Sequence, residues 1–137
     1  MATRSTIGII DNKTGVVTSI YCHWEGYPEN NGRILVEHWS DPAKIQQLMA
    51  LGPLSSLGAE IGEKHDFKDS GPIHCTAYGR DRAEADMESS TYDSLQEFLD
   101  NGEEYNYLWD GVRWNCFKGN DANELIDLYG IRRTVTA

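Results

Sequence analysis

The dipeptide Asp110-Gly111 sits between two runs rich in aromatic residues, Glu104–Trp109 and Val112–Phe117. Asp-Gly favours the type I′ turn, whose twist matches that of two paired strands. A two-residue loop then sets Trp109 opposite Val112, Tyr107 opposite Trp114 and Tyr105 opposite Cys116. Side chains alternate along a strand, so these six residues share one face. Such a face must be buried or carry a ligand. The chain is therefore expected to build a sheet and to cover at least one side of it.

The remaining elements are read from periodicity and turn residues. Ile7 and Ile9 alternate with Thr6 and Gly8, Asp11–Gly15 supplies a turn, and Val16–Cys22 is rich in β-formers. Glycine and proline mark Glu25–Gly32 as a loop. Arg33–Trp39 reads as a short helix. Asp41 caps the next helix, Pro42 fits its first turn, Ile45, Leu48 and Met49 form its apolar stripe, and Gly52-Pro53 ends it. Leu54–Ile61 is ambiguous, with one helical turn as a reading. Ile73–Tyr78 predicts a strand. Thr91 caps a helix carrying Tyr92, Leu95, Phe98 and Leu99, closed by Asn101-Gly102. Asp121 and Glu124 open a last helix through Leu125, Ile126, Leu128 and Tyr129, stopped at Gly130. Gly62–Pro72 and Arg82–Ser90 are the loosest segments, and neither resembles a linker. The expectation is one globular α+β domain over residues 1–137. Its antiparallel sheet is built from an N-terminal and a C-terminal hairpin and packed with three to four short helices.

A chain of 137 residues can bury a core without staples. Its cysteines, Cys22, Cys75 and Cys116, are odd in number and lack a CxxC spacing, which points to a reduced compartment. No run approaches eighteen apolar residues, and no apolar stretch follows Met1–Thr6. No membrane span and no secretory signal are expected, and the expected location is the cytoplasm. Twenty-two acidic residues face twelve basic ones, a net charge of −10. Direct binding to a nucleic-acid backbone needs the opposite balance. The acidity is concentrated, with nine acids and one base, Arg82, between Asp81 and Glu104. That segment is a solvated face, or else a docking surface for a basic partner or a decoy for nucleic acid.

No phosphate loop, dinucleotide fingerprint, HExxH or nucleophile elbow is present. The metal-ligand types are Cys22, His23, Glu25, His38, His65, His74 and Cys75. Their adjacent pairs would point to opposite faces of a strand, so no metal and no cofactor are expected. Cys22, His23 and Glu25 have the types for nucleophilic catalysis, but nothing in the sequence brings them together. Two segments are unusual. Tyr21–Gly32 combines a His, a Trp, two Tyr and a carboxylate, which suits stacking on a planar ring and bonding its edge. Trp24 and Tyr27 could equally plug the core. Tyr78–Arg82 places Arg80 and Arg82 on one side if a strand continues there, with Asp81 on the other. Arginine forks recognise phosphate or carboxylate, and they also pair with nearby acids. With His38 added, the ligand-binding candidates are His23, Trp24, Glu25, Tyr27, Asn31, His38, Tyr78, Arg80 and Arg82. No catalytic residue is assigned.

The strings Thr3–Ile7, Ile20–Pro28, Asn31-Gly32 through Glu37–Trp39, Leu51–Gly58 and Tyr78–Arg82 together resemble a group of small uncharacterised phage and prophage proteins. So does the aromatic hairpin Tyr105–Trp114. Relatives usually carry Asp where this chain has Glu25, so the carboxylate is kept. The resemblance implies a phage origin and no established activity. It suggests a small acidic binding protein that acts on the host. Such a counter-defence factor would sequester a nucleotide-like ligand or inhibit a host defence protein. The alternative is a small nucleotide-acting hydrolase or transferase, with His23 as acid or base, Glu25 orienting it, and Arg80 or Arg82 as anion clamp. A virion-associated role is a third reading. Four Trp and seven Tyr exceed what a small core requires, which makes a homodimer through an aromatic face plausible.

Overall fold

Two hairpins lie side by side and are joined along one parallel seam. The computed structural model describes residues 2–69, 71 and 73–130. Of the domain range 1–137, residues 1, 70, 72 and 131–137 lie outside it, as do Ser70 and Pro72 of the loose segment. Strands β1 (Ser5–Ile10) and β2 (Val17–Cys22) form the first hairpin, with Ile7 opposite Ile20. Strands β6 (Tyr105–Trp109) and β7 (Trp114–Lys118) form the second. β1 runs parallel to β6, with Ile7 beside Tyr107.

Four short strands complete the sheet: β3 (Leu54–Ser56), β4 (Thr76–Ala77), β5 (Ser90–Tyr92) and β8 (Leu125–Ile126). The order is β4-β3-β2-β1-β6-β7-β8, with β5 also on β2. The outer edge of β2 is shared. Cys22 pairs with Leu54 at one end, and Val17–Ser19 pairs with β5 at the other. The fold is α+β, and both expected hairpins form. The sheet itself is mixed rather than antiparallel, because β1·β6 and β2·β3 are parallel. A parallel pair needs a long crossover, and the chain between the hairpins supplies it.

The second hairpin closes two residues further out than the Asp-Gly pair suggested. Trp109 faces Trp114, Tyr107 faces Cys116 and Tyr105 faces Lys118. The Asp110 carboxylate accepts the N–H groups of Val112 (2.8 Å) and Arg113 (2.9 Å), which holds a four-residue turn. Val112 leaves the ladder and is 82% exposed. A slip of two preserves the face, so Tyr105, Tyr107, Trp109, Trp114 and Cys116 still point one way.

That face is core. Helices α1 (Arg33–His38) and α2 (Pro42–Leu51) cover it with Leu35, Ile45, Leu48 and Met49, and Trp39 follows α1. The buried aromatics satisfy their polar tips: Trp114 Nε1 donates to Trp39 O (2.8 Å), and Trp39 Nε1 donates to Gly58 O (3.0 Å). The opposite face packs Val17, Leu108 and Phe117 against Phe98 and Leu99 of α4 (Leu95–Asp100).

α2 starts and stops as read, with Asp41 accepting the Ala43 N–H and Gly52 at φ +81°. Other segments differ. Leu54–Ser56 is a strand, because β2 leaves an open edge there, and the helical-turn reading falls. The strand expected over Ile73–Tyr78 shrinks to Thr76–Ala77, and Tyr78–Arg82 is helix α3. Thr91 lies in β5, and Ser94 caps α4 by accepting the Glu97 N–H. No helix forms over Asp121–Gly130. Asp121 and Asp127 accept backbone N–H groups two residues on, at Asn123 and Tyr129, and β8 pairs with β7 between them. Such local bonds compete with helix. Among the described residues, no helix is long and apolar enough to cross a membrane.

Candidate functional site

Gly26 anchors the loop that follows β2. Its N–H donates to Thr3 O (2.8 Å), and its own carbonyl accepts the Tyr107 hydroxyl (2.7 Å). A Cβ here would stand 2.7 Å from Thr3 O and 2.8 Å from Ser5 Cβ, so only glycine fits. On the other side, the N–H groups of His23 and Trp24 donate to Leu54 O (3.0 Å) and Ser55 O (2.9 Å). The loop is thus pinned between β1, β6 and β3.

Between those anchors, Glu25 sits at φ +59°. That left-handed conformation costs a non-glycine residue about 1–2 kcal/mol. Its Oε2 accepts the Tyr27 hydroxyl. The bond to the carboxylate holds the Tyr27 phenol above its ordinary pKa. Asn30 Nδ2 donates to Glu25 O (3.1 Å) and to Asn31 Oδ1 (3.0 Å). A single wide helical turn over Pro28–Gly32 then leads into α1.

Trp24, Glu25 and Asn30 form one wall of a cleft of about 380 Å³, and Ile34, Ser56, Leu57 and Gly71 complete its lining. Trp24 is 44% exposed. Ser56 Oγ is buried and has no hydrogen-bond partner among the described residues. His23 stands behind the indole, its ring edge-on to Trp24 at 4.7 Å and its Nδ1 hydrogen-bonded to the Tyr21 hydroxyl at 2.6 Å. Trp24 and Glu25 therefore line the cleft, while His23 and Tyr27 hold them in place.

The other candidates are elsewhere. Asn31 is buried and turned inward, with Nδ2 donating to Ser5 Oγ (3.3 Å) and Cys22 Sγ (3.5 Å). Asn30, its neighbour, faces the cleft, and only the turn's phase separates the two. Ser56 was hidden by the helical reading of its segment. His38 ends α1, exposed, 3.9 Å from the Glu37 carboxylate, and is not part of the cleft lining.

The arginine pair does not form a clamp. Helix α3 replaces the expected strand and separates the two side chains. Arg80 donates to Asp81 Oδ1 (2.9 Å), to Ile61 O (3.0 Å), to Gly62 O (3.1 Å) and to Cys75 O (2.9 Å). Its fork is saturated inside the protein. Arg82 pairs with Glu84 and lies over the rings of Phe67 (4.8 Å) and Tyr78 (5.2 Å). Asp81 is a buried acid, not part of an acidic surface. Burial alone would raise its carboxyl. Arg80 and the N–H groups of Ala77 and His65 outweigh that and hold it below the ordinary range.

Near Asp81, His65 Nε2 lies 3.1 Å from Thr76 Oγ1 and His65 Nδ1 lies 3.5 Å from Asp81 Oδ1. The order hydroxyl, imidazole, carboxylate is that of a nucleophile relay. Thr76 is fully buried, however, so no substrate reaches it. The three residues fasten the chain at His65 to β4 and α3.

Cys22, His23 and Glu25 diverge toward Asn31, Tyr21 and Tyr27 respectively. Burial pushes the Cys22 thiol up to about 12 and the Cys75 thiol up to about 11, so neither offers a thiolate at neutral pH. No group of three or more His, Cys, Asp or Glu among the described residues could hold a metal ion. Compared with known proteins, the chain matches no family model, no curated protein and no solved structure.

Proposed function

We propose that this chain is a non-catalytic binding protein of phage type. It acts on its host, in the host cytoplasm, by sequestering a small planar ligand in the Trp24 cleft. The observation that carries this reading is an indole 44% exposed on the wall of a cleft that it shares with Glu25 and Asn30. Exposed Trp suits stacking on a planar ring. The cleft volume lies in the range of small-molecule sites, about 300–1,000 Å³. The phage assignment rests on the likeness of the Ile20–Pro28 string to small phage and prophage proteins.

The hydrolase or transferase alternative has less support. Tyr21 orients His23 where Glu25 was expected to, and Arg80 has no free donor for an anion. Native mass spectrometry of the tagged protein from infected-cell lysate tests the binding reading. A small adduct is expected on the wild type and is expected to be lost in Trp24→Ala. An adduct retained by that variant, or none on either protein, overturns it.

A second reading has an observation of its own. Asp86, Glu88, Asp93, Glu97, Asp100 and Glu104 are exposed, and none is ion-paired among the described residues. Such a face suits a basic surface on a host defence protein. A host protein retained at low salt, released at high salt and insensitive to Trp24→Ala supports it. Trp39, Trp109, Trp114 and Tyr107 are buried in the core, while Trp24, Tyr27 and Tyr129 stay exposed, and a homodimer through an aromatic face remains a proposal.

A further inference from the structure

We infer that the Trp24 cleft selects its ligand through N–H donors. The ligand class is a planar amino-bearing nitrogen heterocycle, an aminopyrimidine or aminopurine nucleoside, held without a phosphate. This inference rests on the cleft reading above and narrows it.

The cleft is rich in acceptors. Tyr27 occupies Glu25 Oε2, and no described residue donates to Oε1. Asn30 spends its Nδ2 on two acceptors, Glu25 O and Asn31 Oδ1, which settles the amide orientation and leaves Oδ1 as its free atom. A carboxylate and an amide carbonyl call for a ligand that donates. An exocyclic amino group beside a ring nitrogen donates to a carboxylate in the way cytosine donates to Glu or Asp side chains. Trp24 supplies the flat surface, and Ile34 and Leu57 supply the apolar contact.

Charge excludes the phosphate. Among the described residues of the lining, Glu25 is the one ionic group and no cation is present. Arg80, the best candidate for an anion clamp, has its donors bound at Asp81, Ile61, Gly62 and Cys75. The backbone agrees with this assignment. Glu25 is held at φ +59° between two anchored neighbours, and strain of that kind is retained where a side chain must be aimed.

Matched pairs test the class by isothermal titration of the full chain. Adenosine and inosine differ by an amino group in place of a carbonyl, as do cytidine and uridine. The amino member of at least one pair is expected to bind tenfold or more tightly than its oxo partner. Its 5′-monophosphate is expected to bind more weakly than the nucleoside. Glu25→Gln should remove most of the amino preference, with an unchanged melting temperature showing that the fold is intact. Equal binding within both pairs, tighter binding of the phosphates, or no binding by any of the four overturns the inference. Stronger binding of L-argininamide than of any nucleoside also overturns it and reassigns the cleft to a guanidinium. If the lysate adduct depends on Trp24 but proves anionic, the cleft reading stands and only the class fails.

Discussion

The Trp24 loop and helix α3 carry similar raw material: aromatic rings, a carboxylate and hydrogen-bonding side chains within a few residues. They use it in opposite ways. In α3, Arg80 and Asp81 turn inward and find each other, together with the carbonyls of Ile61, Gly62 and Cys75. In the loop, backbone anchors at Trp24 and Gly26 take the strain, and Glu25, Asn30 and the indole keep atoms unspent. Residue type does not separate a lock from a site. What separates them is whether backbone acceptors lie within reach of the side chains.

That contrast breaks first at Arg80. Arg80→Ala leaves the buried Asp81 carboxylate without its charge partner, a loss of about 3–5 kcal/mol. Urea denaturation should show it as a large drop in midpoint with ligand affinity intact in the folded fraction. A stable Arg80→Ala that loses ligand would make α3 the site and the loop the lock. At Glu25 the sign is expected to reverse. Glu25→Gly relieves the positive φ and should stabilise the protein by about 1 kcal/mol in the same assay, while removing the carboxylate and weakening binding. A destabilised Glu25→Gly would show that the carboxylate serves the fold.

A third effect is confined to acid. Asp81 and Asp110 are both held below the ordinary carboxyl range. For each, burial opposes the shift and hydrogen bonds prevail, those at Asp110 coming from Arg113, Asn115 and Val112. A depressed folded pKa contributes stability above the unfolded value near 3.8, and that stability is lost as pH falls through the folded value. Thermal melts should therefore hold steady from pH 7 to about 4 and fall below it. Asp110→Asn, which keeps an acceptor in the turn, should flatten part of that fall. The smallest effect is Tyr27→Phe. Loss of this exposed hydroxyl should leave the melting temperature unchanged. Its removal frees Glu25 Oε2 and should shift ligand affinity, so a silent Tyr27→Phe in titration would detach the phenol from the site.

Much of the fold was legible where local chemistry decides. Both hairpins, the cap at Asp41 and the stop at Gly52 follow from residues within a turn of each other. Two of the failures share a cause. The Asp110 and Asp121 carboxylates bond their own backbone, which lengthened one turn and cancelled a helix. The parallel seam of β1 with β6 is set by residues about a hundred positions apart, and no periodicity announces it. At the site, Trp24 and Glu25 could be singled out because Tyr21–Gly32 is compositionally odd. Asn30 and Ser56 could not. The first depends on the phase of a five-residue turn, and the second on a strand that exists only because β2 leaves an edge open.

The Tyr107 hydroxyl on Gly26 O ties the loop to a strand made late in synthesis. A ribosome must release more than a hundred residues before that bond, or the β1–β6 seam, can close. The early hairpin waits with one edge uncovered until the later one arrives. Contacts of such sequence separation slow folding and expose nascent chains to mispairing. A prematurely terminated product lacking the second hairpin would carry every cleft residue and still bind nothing.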